Sequence, residues 1–208
     1  MGVKEQTVEE FLSAVAAATP TPGGGSVAAL AGALSVALSR MVAGLARGKT
    51  GYEAVQDDLA RIEERAVPIQ ERLRLLVDED SASYHLVVSA MRMPKTTEEE
   101  KAARVEAMQA AYREATKVPL ETVERGFEAL ELAKEAAEKG NRSAFTDCGV
   151  AVLLAEAAIR GASLNVRVNL ASIRDESFRS SVEEKVDDLL ARAQSLGHDA
   201  MAIIERRL

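Results

Sequence analysis

Apolar residues recur along this chain at helical spacing, and no segment shows the strict alternation of a half-buried strand. Val8, Phe11, Leu12 and Val15 form the first apolar face, over residues 7–18, with Thr7 and Glu10 placed as a capping box at its start. The Pro- and Gly-rich run at 19–26 (TPTPGGGS) ends that segment and feeds a second helix through residue 46. This second helix is apolar on every side. Leu30, Leu34, Leu38, Met41 and Leu45 follow one stripe, and Gly25, Ala29, Ala33 and Ala37 form another of small side chains. A helix with no polar face to give to water is expected at the centre of a bundle.

The remaining pattern predicts amphipathic helices around that axis. Residues 47–51 (RGKTG) form a break, and a long periodic segment runs from Tyr52 to about Met91, with Pro68 expected to kink or divide it. After a break at 94–97 (PKTT), Thr96 or Thr97 caps a charged helix through Thr116. Val118 and Pro119 restart the chain into a helix ending at Lys139, because proline suits a first helical turn, and Gly140 and Asn141 close it. Ser143 is placed to cap a second strongly apolar helix over 144–159, and Gly161 marks a bend before 162–173. Asp175 caps a last amphipathic helix ending near Arg207. The expected fold is all-α, a multi-helical bundle with a buried central helix, in one domain over 1–208.

Composition narrows the function classes. The net charge is −7 and the pI about 5.1, with acids and bases interspersed, so no basic footprint for nucleic acid is present. Residues 27–46 approach the length of a membrane span, but Arg40 interrupts them and Ala and Gly outnumber Leu and Ile, so no membrane partner is expected. Cys148 is the single cysteine, which leaves no intramolecular disulfide. The absence of a leading targeting segment makes the cytoplasm the expected compartment. His85 and His198 fit no ligand spacing, so no metal is expected.

Several polar residues stand in apolar company. Asp80 lies among Leu75, Leu76, Val77, Leu86, Val87 and Val88, with Tyr84 one turn on. Desolvation there would raise its proton affinity and suit it to general acid or base work, although spacing alone favours an exposed carboxylate within the acidic run at 78–80. His85 sits about 140° around the helix from Asp80 and forms no dyad with it. Asp147 projects from an apolar face formed by Val150, Ala151 and Leu154, either meeting the helix dipole or facing a pocket. Asn165 and Asn169 are one turn apart on an apolar segment and need partners from protein, water or ligand. The glycine run before a helix suggests an anion site, but matches neither the P-loop nor the dinucleotide fingerprint.

As a set, PTPGGGSVAALAGALSVALSRMVAGL, DSASY, KVPLETV, GNRSAFTDCGVA and GASLNVRVNLASIRDESF resemble the cyclodeaminase domain of the formiminotransferase-cyclodeaminase family, which includes stand-alone methenyltetrahydrofolate cyclohydrolases. The resemblance covers nearly the whole chain. It implies a folate one-carbon enzyme, a cyclodeaminase or a cyclohydrolase, working as a homodimer on a tetrahydrofolate derivative that can be polyglutamylated, with no further cofactor and no metal. It also implies Asp80 and Asp147 as the proton-transfer residues. Pro22, Gly23, Gly24, Gly25, Ser26, Lys49, Tyr84, Asn141, Asn165 and Asn169 are implied as the substrate-binding set, with Lys49 and the loop amides on the glutamate tail. Gly44 departs from the family's frequent asparagine, which keeps a non-catalytic folate-binding or interaction module as the alternative. With no formiminotransferase domain in the sequence, the folate would arrive from another enzyme.

Overall fold

The computed structural model describes residues 6–208. Six α-helices follow one another among them: α1 (Val8–Ala16), α2 (Gly24–Gly44), α3 (Gln56–Met91), α4 (Glu98–Lys139), α5 (Phe145–Leu170) and α6 (Glu176–Glu205). Short 3-10 turns at Glu53–Val55 and Arg142–Ala144 lead into α3 and α5. The Thr7–Glu10 capping box and the Asp175 cap form as the sequence predicts, and of the two candidates for α4 it is Thr97 that caps, in a box completed by Glu100.

α2 packs against α3, α4 and α5. It runs antiparallel to α3, since Ser26 meets Asp80 at one end and Arg40 bonds Glu63 and Gln70 at the other. It is antiparallel to α5 as well: Gly32 meets Ala158, and the Asn141 N–H donates to the Val42 carbonyl. α3 and α4 form a long antiparallel hairpin, tied by Arg72 to Glu121 and by Arg65 to Glu135. α6 closes the back against α4 and α5.

The central position of α2 is as expected, but one of its faces is left uncovered. What it buries is small: Gly25, Ser26, Ala28, Ala29, Gly32, Ala33, Ser35, Val36, Ser39, Val42 and Ala43. Val27, Leu34, Met41 and Leu45 are exposed. The short side chains let α3, α4 and α5 approach closely, and a β-carbon on Gly32 would press on Leu73 at 3.0 Å. The bulk of the core therefore comes from the neighbours, from Leu59, Ile62, Leu73, Leu76, Leu130, Leu132 and Ile159. α2 and the Arg142–Leu170 segment are long and apolar enough to cross a bilayer, and half of each apolar window is buried within the bundle.

Three expected interruptions do not occur. α3 runs unbroken through Pro68, which lies on the exposed side, where water can satisfy the carbonyl that proline leaves unpaired. α5 runs unbroken through Gly161, which instead gives room to Ala28, 3.3 Å from where a β-carbon would stand. α4 runs unbroken through Pro119, which is buried. A proline at 119 removes the donor for the Ala115 carbonyl, and the structure supplies another: Asn169 Nδ2 donates to that oxygen at 2.9 Å. Ser143 does not cap α5. Its own N–H donates to Asn141 Oδ1, so the asparagine caps the preceding 3-10 turn.

The Pro119 arrangement is testable by a double-mutant cycle. Asn169→Leu is expected to cost about 1–3 kcal/mol, because it strands a buried carbonyl. Pro119→Ala in the same chain restores an intrahelical donor and should recover much of that loss in urea denaturation. Additive losses would mean that the two residues are not coupled.

Candidate active site

A cleft of about 350 Å³ opens where the N-terminal end of α2 meets α3, α4 and α5. Its walls are drawn from four separate stretches. The loop before α2 contributes Pro20, Thr21, Gly23 and Gly24; α3 contributes Asp80, Ser83, Tyr84, Val87 and Met91. α4 gives Tyr112, Ala115 and Pro119, and α5 gives Asn165, Val168 and Asn169. The α3 residues fall at i, i+3, i+4, i+7 and i+11, so a single helix face makes one long wall.

Asp80 is fixed at the polar end. Its Oδ2 accepts from the Ser26 N–H at 2.8 Å and the Ser26 hydroxyl at 3.0 Å. Oδ1 receives no hydrogen bond among the described residues and lies against Gly25, where a β-carbon would overlap it. Burial raises the carboxyl above the ordinary carboxylate range, and the two Ser26 bonds offset this only in part. The result is a partly desolvated acid in the cleft wall with one oxygen locked by Ser26. Its neighbour Glu79 is engaged elsewhere, paired with Arg72, so the acidic run divides by role.

The amides are oriented by what their donors already hold. Asn165 Nδ2 donates to the Gly161 carbonyl at 3.0 Å, as Asn169 Nδ2 does to Ala115. Only the NH2 group can donate to a carbonyl, so both Oδ1 atoms are left as acceptors beside the cleft. Two amides, one acid and the backbone of Gly23 and Gly24 line the cleft together with the rings of Tyr84 and Tyr112 and the apolar Val87, Met91 and Val168. This composition suits a flat ring with N–H groups on its edge.

The expected site residues thus divide. Gly23, Gly24, Asp80, Tyr84, Asn165 and Asn169 meet in the cleft, while Gly25 and Ser26 stand behind Asp80 and hold it. Pro22 belongs to the same loop without lining the cleft. Lys49, Asn141 and Asp147 do not join them within one chain. They lie at the opposite end of α2, about 30 Å away at 1.5 Å per residue. Asn141 has both polar groups engaged, Nδ2 to the Leu45 carbonyl and Oδ1 from the Ser143 N–H, and is buried as a tie between α2 and α5. Asp147 sits in the first turn of α5, which fits the helix-dipole reading of that residue. Its charge, after burial, helps push the Cys148 thiol up to about 12, which keeps that sulfur protonated. Gly44 also lies at the far end, with nothing within 4 Å of a β-carbon there.

Tyr112, Ser83, Met91 and Pro119 escaped the sequence reading. The α3 stripe from Asp80 to Met91 carried the signal for Ser83 and Met91. Tyr112 carried another, since the chain has only three tyrosines and no tryptophan, and two of the three line this cleft.

A formiminotransferase-cyclodeaminase family model matches residues 7–188. The chain belongs to this family. Among its relatives is a methenyltetrahydrofolate cyclohydrolase of Methylorubrum extorquens, 40% identical over 92% of both chains. The formimidoyltransferase-cyclodeaminase of Gallus gallus is 32% identical over 99% of this chain but only 38% of its own length, so this chain matches a part of that protein. In three dimensions the fold is similar to the formiminotetrahydrofolate cyclodeaminase of Thermotoga maritima, with a TM-score of 0.88, 30% identity and 98% of each chain covered. The all-α bundle is thus the family's architecture, and the cleft lies within the matched residues.

Proposed function

We propose that this folate one-carbon enzyme works at the 5,10-methenyl carbon, as a formiminotetrahydrofolate cyclodeaminase or a methenyltetrahydrofolate cyclohydrolase, with Asp80 moving the protons. In the first reaction N10 attacks the formimino carbon and ammonia leaves. In the second, water adds to the methenyl carbon and the ring opens. Either way a proton leaves the attacking atom and one reaches the departing nitrogen, and a single carboxyl of raised proton affinity can serve both steps. The observation that carries the reading is the Asp80 carboxyl in the wall of the cleft, partly desolvated and held by Ser26 through one oxygen. Asn165 and Asn169 accept from the pterin edge, and the cleft volume falls within the range of small-molecule sites. No metal or cofactor beyond the tetrahydrofolate substrate enters this scheme.

The test is spectrophotometric. Purified protein is given 5-formiminotetrahydrofolate and 5,10-methenyltetrahydrofolate separately, and the methenyl chromophore is followed. A rise with the first identifies the deaminase and a fall with the second the hydrolase. No catalysed change with either sinks the proposal.

The same reading includes a homodimer in the cytoplasm. What supports the dimer is the exposed apolar face of α2, Val27, Leu34, Met41 and Leu45, beside Val150, Leu153 and Leu164 of α5. Large side chains at this density on one face mark an association surface. Leu34→Glu with Met41→Glu is expected to convert a dimer into a folded monomer in sedimentation velocity. An unchanged sedimentation coefficient would place the interface elsewhere.

A further inference from the structure

The α3 wall of the cleft extends eleven residues from Asp80 to Met91, about 16 Å of helix. Its chemistry is graded. The acid, Asn165 and the loop backbone lie at the Asp80 end, Asn169 is held on Ala115 beside Val87, and Met91 and Tyr112 line the other end. Immediately beyond Met91 stand Arg92, Lys95 and Arg104, none of which forms an ion pair among the described residues. Arg104 is fixed to the rim itself, its Nε donating to the Met91 carbonyl at 3.0 Å. Half of the chain's arginines are paired with acids, whereas Arg92 and Arg104 are left beside the rim without an acid partner among the described residues, although Glu98, Glu99, Glu100 and Glu106 follow in the same stretch.

From this gradient we infer that Arg92 and Arg104, with Lys95 behind them, bind the glutamate carboxylates of the folate tail. The inference rests on the folate reading of the cleft and assigns the anionic end of the same substrate. Between the reacting carbon and the first glutamate carboxylate lies a p-aminobenzoyl group, roughly 10 Å along bonds of about 1.3 to 1.5 Å. A hydrogen bond of about 3 Å at either end brings the span to the length of the groove. The benzoyl ring then lies against Val87, Met91 and Tyr112, and the tail emerges at the arginines. Guanidinium groups suit carboxylates through paired N–H donors. This replaces Lys49, which is about 30 Å from the cleft of its own chain.

The experiment measures kcat and KM for mono- and triglutamyl forms of whichever folate the protein turns over, in the wild type and in Arg92→Ala/Arg104→Ala. The double variant is expected to raise KM about tenfold for the monoglutamate and more for the triglutamate, with kcat within twofold. A p-aminobenzoyl-triglutamate fragment should inhibit the wild type and lose most of that inhibition in the variant. Because Arg104 also holds the Met91 carbonyl, Arg92→Glu alone is the second variant. The Arg92 side chain is exposed and makes no hydrogen bond or ion pair among the described residues, and its substitution should raise KM in the same direction. Unchanged KM and unchanged fragment inhibition in an active enzyme overturn the tail site alone. A chain-length effect lost in Lys49→Ala instead also overturns it, and puts the tail across a contact between copies. A wild type inactive on both folates overturns the functional reading and the tail site with it.

Discussion

Asp80→Asn is expected to reduce turnover by about 10² to 10⁴ while leaving the fold intact. The amide is nearly isosteric, and its oxygen can still accept from the Ser26 N–H and hydroxyl, so secondary structure and substrate affinity should persist while proton transfer does not. The pH dependence follows from the direction of the shift. If Asp80 acts as a base, activity falls as pH drops through its pKa, and this acidic limb lies above the ordinary carboxylate value of about 4. Stability should move the opposite way. A carboxyl whose folded pKa is raised binds its proton more readily in the folded chain than in the unfolded one, so its contribution is favourable at low pH and is lost as pH rises through the folded value. Asp80→Asn should therefore unfold at a higher temperature than the wild type near neutral pH. The difference should shrink as pH falls below the unfolded value. Wild-type turnover in a folded Asp80→Asn protein would remove the residue from the mechanism.

The second large effect is expected at Gly25→Ala. A β-carbon there overlaps Asp80 Oδ1 and approaches the carboxyl carbon at 2.6 Å, so the carboxylate must leave its place on Ser26. Activity should fall as far as in Asp80→Asn, and overpacking adds about 1–3 kcal/mol of destabilisation. Gly24→Ala makes the contrast: the nearest atom to its β-carbon is Asn165 Nδ2 at 4.0 Å, so the fold accepts it. Kinetics with thermal unfolding on both variants separate these outcomes. A Gly25→Ala enzyme with more than half the wild-type kcat would show that Asp80 need not occupy its observed position.

Much of the bundle was legible because caps and periodicity are local. The Thr7, Thr97 and Asp175 starts depend on residues within one turn of each other, and they appear where the sequence puts them. The orientation of α2 was not legible. With apolar residues all round, the pattern gives no preferred face, and close packing selected the small ones for the interior. The breaks assigned at Gly161 and Pro119 failed for a related reason. Glycine and proline report what the backbone permits or lacks, while the partners that resolve each case, Ala28 and Asn169, lie far away in sequence. The resemblance identified the glycine loop, Asp80, Asn165 and Asn169, which do converge. It carried no information on arrangement, and so grouped them with Lys49, Asn141 and Asp147 from the other end of the bundle.

The bond from Asn169 to the Ala115 carbonyl also orders events in time. Until α5 docks, only water can donate to that oxygen, and the helix around Pro119 rests on local propensity alone. A nascent chain released before residue 169 should therefore hold its 42-residue α4 less firmly at Pro119 than the finished protein does. The break read from the sequence marks that weak point, and its reinforcement by α5 coincides with completion of the cleft. Stiffening of α4 around Pro119 and the onset of catalysis should therefore arrive together during synthesis.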